Sequence, residues 1–159
     1  MKGSDILKLV LSIVICQGAG FLGSLATTPS IGTWYKTLAK PNFSPPNAIF
    51  APVWITLYLM MSIALFLVWK RGAATAGVKS ALVLFFVQLA LNTLWSILFF
   101  GLHQPMGAFF EIIFLWVFIL LTLIAFWRTS LPAGLLLVPY LLWVSFASVL
   151  NFALWRLNR

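Results

Sequence analysis

Residues 80–102 read SALVLFFVQLALNTLWSILFFGL, a run without a single charge. As a helix rising about 1.5 Å per residue, it is long enough to cross a hydrocarbon layer of about 30 Å. It lacks the strict apolar–polar alternation of a barrel strand, so a helix is the reading. The run is not uniformly apolar. Gln88, Asn92, Trp95 and Phe99 recur at steps of three and four and so share one helical face. An amide turned toward lipid is costly, which points that face into a bundle.

Working outward, four further windows have the same character: about 5–26, 48–69, 105–127 and 132–155. The expectation is an all-α membrane protein, a single domain over 1–159. It is a bundle of five transmembrane helices with a long ordered loop, about 27–47, between the first two. The whole chain is 63% hydrophobic and 8% charged, with a mean hydropathy of +1.08. Soluble domains lie nearer half apolar and a quarter charged, so a soluble or disordered chain is excluded. Two acidic residues, one His and one Cys offer little for acid–base pairs, rule out an intrachain disulfide and predict no protein-built metal site. The net charge of +8 comes from scattered basic residues, which suit membrane flanks rather than nucleic acid.

The first window also fits a signal peptide: Lys2 and Lys8, an apolar run, then Ser24-Leu25-Ala26. If it is instead a span, the amino-terminal side carries Lys2, Lys8, Lys70, Arg71, Lys79 and Arg128, against Lys36, Lys40, Arg156 and Arg159 opposite. That excess favours a cytoplasmic amino terminus.

Loop 1 reads TTPSIGTWYKTLAKPNFSPPN. Its four prolines stiffen it, and Trp34, Tyr35 and Phe43 give it apolar surface. Loops of this length are usually functional, here a lid, with an aromatic segment resting on headgroups as the alternative. Five-span topology then sets depths below the loop 1 surface. Trp54 and Trp95 lie about 10 Å down, Tyr58 and Asn92 about 15 Å, Asn151 about 6 Å and Trp143 about 18 Å. Trp54 and Tyr58 share one face of span 2. Trp143, Phe146, Ala147, Leu150 and Asn151 share one face of span 5. Three such stripes meeting would enclose an aromatic pocket for a flat, largely apolar ligand. The competing reading is helix packing, since inward amides often only bond between helices. Glu111, shallow in span 4, is expected to reach the surface or bond a neighbouring helix, with a proton or cation site as the alternative. His103 reads as a solvated loop residue. The small residues Ala19/Gly23 and Gly20/Ser24 allow close helix packing, within the chain or between subunits.

These motifs resemble the translocator protein family, also called tryptophan-rich sensory proteins (TspO/MBR). The carrying residues are Trp34-Tyr35 with Lys40-Pro41 and Pro45-Pro46, then Pro52-Val53-Trp54 with Leu57-Tyr58. Gln88-Leu89, Asn92 and Trp95 follow, then Pro139-Tyr140-Leu141, Trp143, Phe146-Ala147 and Leu150-Asn151. The resemblance implies a five-helix bundle, often a homodimer, that binds porphyrins, haem-related tetrapyrroles and aromatic drug-like molecules as ligands. By motif, Trp54, Asn92, Trp95, Trp143, Ala147 and Leu150 would line the site, with Trp34 and Tyr35 on the lid. The stripes add Tyr58, Gln88, Phe99, Phe146 and Asn151. Phe152 stands where the family's sterol motif has tyrosine, which counts against sterol as a partner. Relatives occur in bacterial membranes and the mitochondrial outer membrane. The implied function is a receptor or translocator for protoporphyrin IX or haem-like ligands, in transport, sensing or stress response. Two alternatives stand beside it. One is a light- and oxygen-dependent porphyrin-degrading enzyme using Trp54 and Trp143. The other is a structural or regulatory membrane subunit.

Overall fold

A computed structural model of the protein describes residues 3–159; Lys2, counted above among the amino-terminal charges, lies outside them. The described residues form helices α1 (Gly3–Ile31), α2 (Trp34–Thr37), α3 (Asn47–Lys70), α4 (Val78–Ser96), α5 (Pro105–Thr129) and α6 (Leu131–Leu157). A π turn, Ile97–Gly101, prolongs α4. Five of these, counting α4 with its π turn as one, are long and apolar enough to cross a membrane. The protein is therefore an all-α, multi-pass integral membrane protein, as its hydropathy pattern implies.

One boundary differs clearly from the sequence reading. α1 runs through Ala26 to Ile31, so the first loop is shorter than 27–47 and contains the short helix α2. Pro29 within α1 donates no backbone hydrogen bond. Side chains support the turn around it: Thr27 donates to the Gly23 carbonyl at 3.0 Å and Thr33 to that of Pro29 at 2.8 Å. Ser30 then ties the helix end to the Phe100 carbonyl of the π turn at 2.7 Å. Tertiary contact thus carries the helix past the point where composition alone suggests a loop.

The corner between α5 and α6 is a single residue, Ser130, whose N–H bonds the Phe126 carbonyl at 2.7 Å. A Cβ on Gly134 would lie 2.7 Å from the Trp127 Cα, so the glycine is what lets these antiparallel helices turn this closely. Pro105 starts α5 at a position where its missing N–H costs nothing. α5 packs on α4 and α6, and α3 on α1 and α6. At the end nearest the α3–α4 and α5–α6 turns the core is closed: Ala64, Leu65, Val68, Phe85, Phe126 and Ala133 have no exposed surface. Phe85 and Phe126 stack there at 5.5 Å. At the opposite end, beneath loop 1, the same helices part.

Candidate ligand pocket

The parted helices enclose a cavity of about 410 Å³. α3 contributes Phe50, Trp54 and Tyr58 to its wall. α4 and its π turn contribute Asn92, Trp95, Phe99 and Phe100, and α6 contributes Trp143, Ala147, Leu150 and Asn151. Loop 1 reaches in through Tyr35, which is 2% exposed. The indole of Trp54 leans on Tyr58 and meets Tyr140 edge-on at 6.3 Å. Trp143 meets Phe50 edge-on at 6.2 Å, and Trp95 stacks on Phe99 at 5.2 Å. The expected stripes of spans 2, 3 and 5 do meet in one place.

Three residues singled out in the sequence do not touch the cavity. Trp34 stands behind Phe99, edge-on at 5.6 Å, and stacks instead on His103. Phe146 packs instead between Trp143 and Phe43. Gln88 lies under the cavity floor, in a chain of hydrogen bonds. The Tyr58 hydroxyl donates to Asn92 Oδ1 at 2.6 Å, and Asn92 Nδ2 donates to the Tyr140 hydroxyl at 2.7 Å. Tyr140 donates to Gln88 Oε1 at 2.9 Å, and Gln88 Nε2 ends the chain 3.9 Å from the Met61 sulfur. Asn151 is likewise engaged, accepting from the Trp95 indole at 3.0 Å and donating to the Pro105 carbonyl at 2.8 Å. Hydroxyl, indole and carbonyl partners thus engage the amides, and the wall they leave is mainly aromatic.

The sequence reading misses a whole wall. Gly20, Gly23, Ser24 and Thr27 of α1 line the cavity. A Cβ on Gly20 would sit 2.7 Å from the Tyr58 ring, so its smallness brings α1 against α3. The small-residue stripe was the available signal, and its contact is internal. Phe100 is missed for another reason. The bond from the Leu102 N–H to the Ile97 carbonyl, 2.8 Å, closes a π turn, and both Phe99 and Phe100 face the cavity from it.

Two single residues also differ from expectation. Glu111 does not reach the surface: it is 8% exposed, and both carboxylate oxygens are buried without a hydrogen-bond partner. It shares the inner face of α5 with Ala108, Ile112 and Leu115, which turns it away from lipid. His103 is exposed yet has partners: it stacks on Trp34, and its Nε2 lies 3.3 Å from the Ser30 hydroxyl. Tyr35 lies outside the spans. Its hydroxyl and that of Ser44 are both buried and make no well-aligned hydrogen bond. Burial pushes its pKa up, and the adjacent Ser44 hydroxyl draws it partly back. The Lys40 ammonium sits 4.5 Å over the Tyr35 ring. Among the described residues no group of three or more His, Cys, Asp or Glu is placed to hold a metal ion.

This arrangement coincides with a known pattern: the TspO/MBR profile matches residues 12–156. The chain belongs to the TspO/MBR family. Relatives in this family span distant organisms. The tryptophan-rich protein TspO of Chlorobaculum tepidum is 48% identical over 158 residues, covering 97% of this chain and 98% of the relative. That of Archaeoglobus fulgidus is 46% identical over 155 residues, covering 97% and 99%. The translocator protein of Ovis aries is 39% identical over 141 residues, covering 88% and 83%. TspO/MBR membership fits a receptor, translocator or sensory role in a membrane.

Proposed function

We propose that this TspO/MBR protein binds tetrapyrroles such as protoporphyrin IX or haem, and other flat apolar molecules, in the cavity beneath loop 1. One observation carries the reading: three indoles, Trp54, Trp95 and Trp143, face a single cavity of about 410 Å³ whose polar groups are largely bonded to protein. That volume falls in the range of small-molecule sites, and such walls suit an extended π face. The propionates of a porphyrin would face the water beside Lys36, Lys40 or Arg156.

The test is a dark titration of the purified protein with protoporphyrin IX, following tryptophan fluorescence and the porphyrin absorption band. Saturable quenching that Ala147→Leu abolishes supports the pocket. Linear quenching indifferent to that substitution means partition into the micelle and overturns it. A second reading, light-driven porphyrin degradation with oxygen as oxidant, draws on Trp54 and Trp143 lining the same cavity. Under it, Trp143→Phe retains dark binding but slows bleaching of the bound porphyrin in light.

A further inference from the structure

The chain has one glutamate, Glu111, and it sits within a membrane span. It is 8% exposed, and among the described residues neither carboxylate oxygen has a hydrogen-bond partner. No cation is placed to pair with it either. The stretches that bracket its depth on the elements packed against α5 are 51–62 of α3, 91–101 of α4 and its π turn, and 140–155 of α6. None holds a basic residue, and their only titratable side chains are the phenols of Tyr58 and Tyr140. Tyr140 lies within electrostatic reach of Glu111, and of Tyr58 in turn. On α5 itself the same face carries Ala108, Ile112 and Leu115. A carboxylate there would lose its hydration and gain no donor in exchange. A single carboxyl among apolar neighbours also lacks the several oxygens that a metal cation needs. The ligand that fits is a proton.

The carboxyl also stands close behind the pocket. Ala108, one turn before it, belongs to the buried cluster of Phe99, Phe100 and Leu150, which line the cavity. Tyr140 connects it to the cavity floor. Its hydroxyl accepts from Asn92 Nδ2 at 2.7 Å, and Asn92 lines the cavity. We propose that Glu111 is a proton-binding site within the bundle, occupied in the resting protein, and that its proton is coupled through Tyr140 and Asn92 to filling of the pocket. The coupling rests on the pocket reading above; the proton site does not. A flat apolar ligand offers no donor to an anion and keeps water from the cavity, so a filled pocket disfavours the charged form. By reciprocity, losing the proton weakens ligand binding by the same factor. Affinity is thus full at low pH and falls as the pH rises. Glu111→Gln, which mimics the neutral acid, holds it level.

The experiment is infrared difference spectroscopy of the purified protein between about pH 6 and about pH 9, a window above ordinary carboxyls and below phenols. The probe is protoporphyrin IX dimethyl ester, whose esterified propionates do not titrate. A protonated-carboxyl C=O band should be present at neutral pH and absent from Glu111→Gln. It should also shift when the one glutamate is made with the heavy carbon isotope, and that shift alone makes the assignment if Glu111→Gln does not fold. The ester should raise the titration midpoint of the band by about 0.7 of a pH unit. Wild-type affinity should correspondingly weaken about fivefold across the window and stay level in Glu111→Gln. No such band at neutral pH overturns the proton site. A band that the ester leaves unmoved, with wild-type affinity level across the window, overturns the coupling. A shift undiminished in Tyr140→Phe overturns its route. If the ester shows no saturable binding to wild type, the pocket reading fails, and the band of the ligand-free protein still decides the proton site.

Discussion

The two ends of this bundle are built from the same helices yet behave as opposites. Toward the α3–α4 turn, facing positions alternate small and large: Ala64, Ala81 and Ala133 beside Leu65, Phe85 and Phe126, all without exposed surface. Toward loop 1, Trp54, Trp95 and Trp143 line one cavity of about 410 Å³. Small against large allows helices to close on each other. Indoles braced on Tyr140, Phe50 and Phe99 rather than on one another leave a space between helices. The difference is one of side-chain complementarity, since hydrophobicity is high throughout and lipid offers no apolar driving force between helices.

Substitutions at the two ends should therefore fail in different ways. Filling the open end has the largest expected effect. Ala147→Leu should weaken porphyrin binding at least roughly tenfold in the dark titration while the protein stays folded, because the added methylenes enter existing space. Emptying the closed end should do the reverse. Phe85→Ala removes the Phe126 stack and leaves a void that costs about 2 kcal/mol, since the packing loss persists in a bilayer though the transfer gain does not. Thermal unfolding in detergent should show it, with binding by the remaining folded protein unaltered. Equal losses of binding in both variants would erase the contrast.

A smaller effect is expected at the boundary between the two ends. Tyr140→Phe strips the shared hydroxyl from Asn92 and Gln88, and such buried bonds average about 0.6 kcal/mol within membranes. A modest fall in melting temperature, with binding altered through the reoriented Asn92 amide, would mark the network as the cavity floor. The least effect concerns pH at the lid. Burial lifts the Tyr35 phenol above its ordinary 10.0, so the closed lid favours the neutral form. That contribution is full below pH 10.0 and is lost as the pH rises through the elevated value. Exchange protection of loop 1 should fall at alkaline pH in wild type and fall less steeply in Tyr35→Phe.

The three stripes were legible because helical spacing places residues on a face regardless of what they meet. Trp54, Asn92 and Trp143 are separated by whole spans, yet depth counting puts them in the same half of the membrane. The α1 wall was not legible as a wall. Gly20 and Gly23 carry no side chain to announce a ligand site, and a small residue reads the same against a helix, a subunit or a cavity. Trp34 and Gln88 show the converse. The motif selects Trp34 and helical spacing selects Gln88, yet one turns to His103 and the other lies beneath the floor.

Five spans, their order and the face each amide occupies follow from the chain itself, because a bilayer requires every backbone hydrogen bond to close locally and prices each polar side chain by its depth. The cavity, the inward turn of Phe100, the burial of Glu111 and the grip of Asn158 on Ala39 arise only when the helices meet. Each depends on the shape of a partner distant in sequence. A helical period records which way a side chain points, and nothing of the distance to what stands opposite.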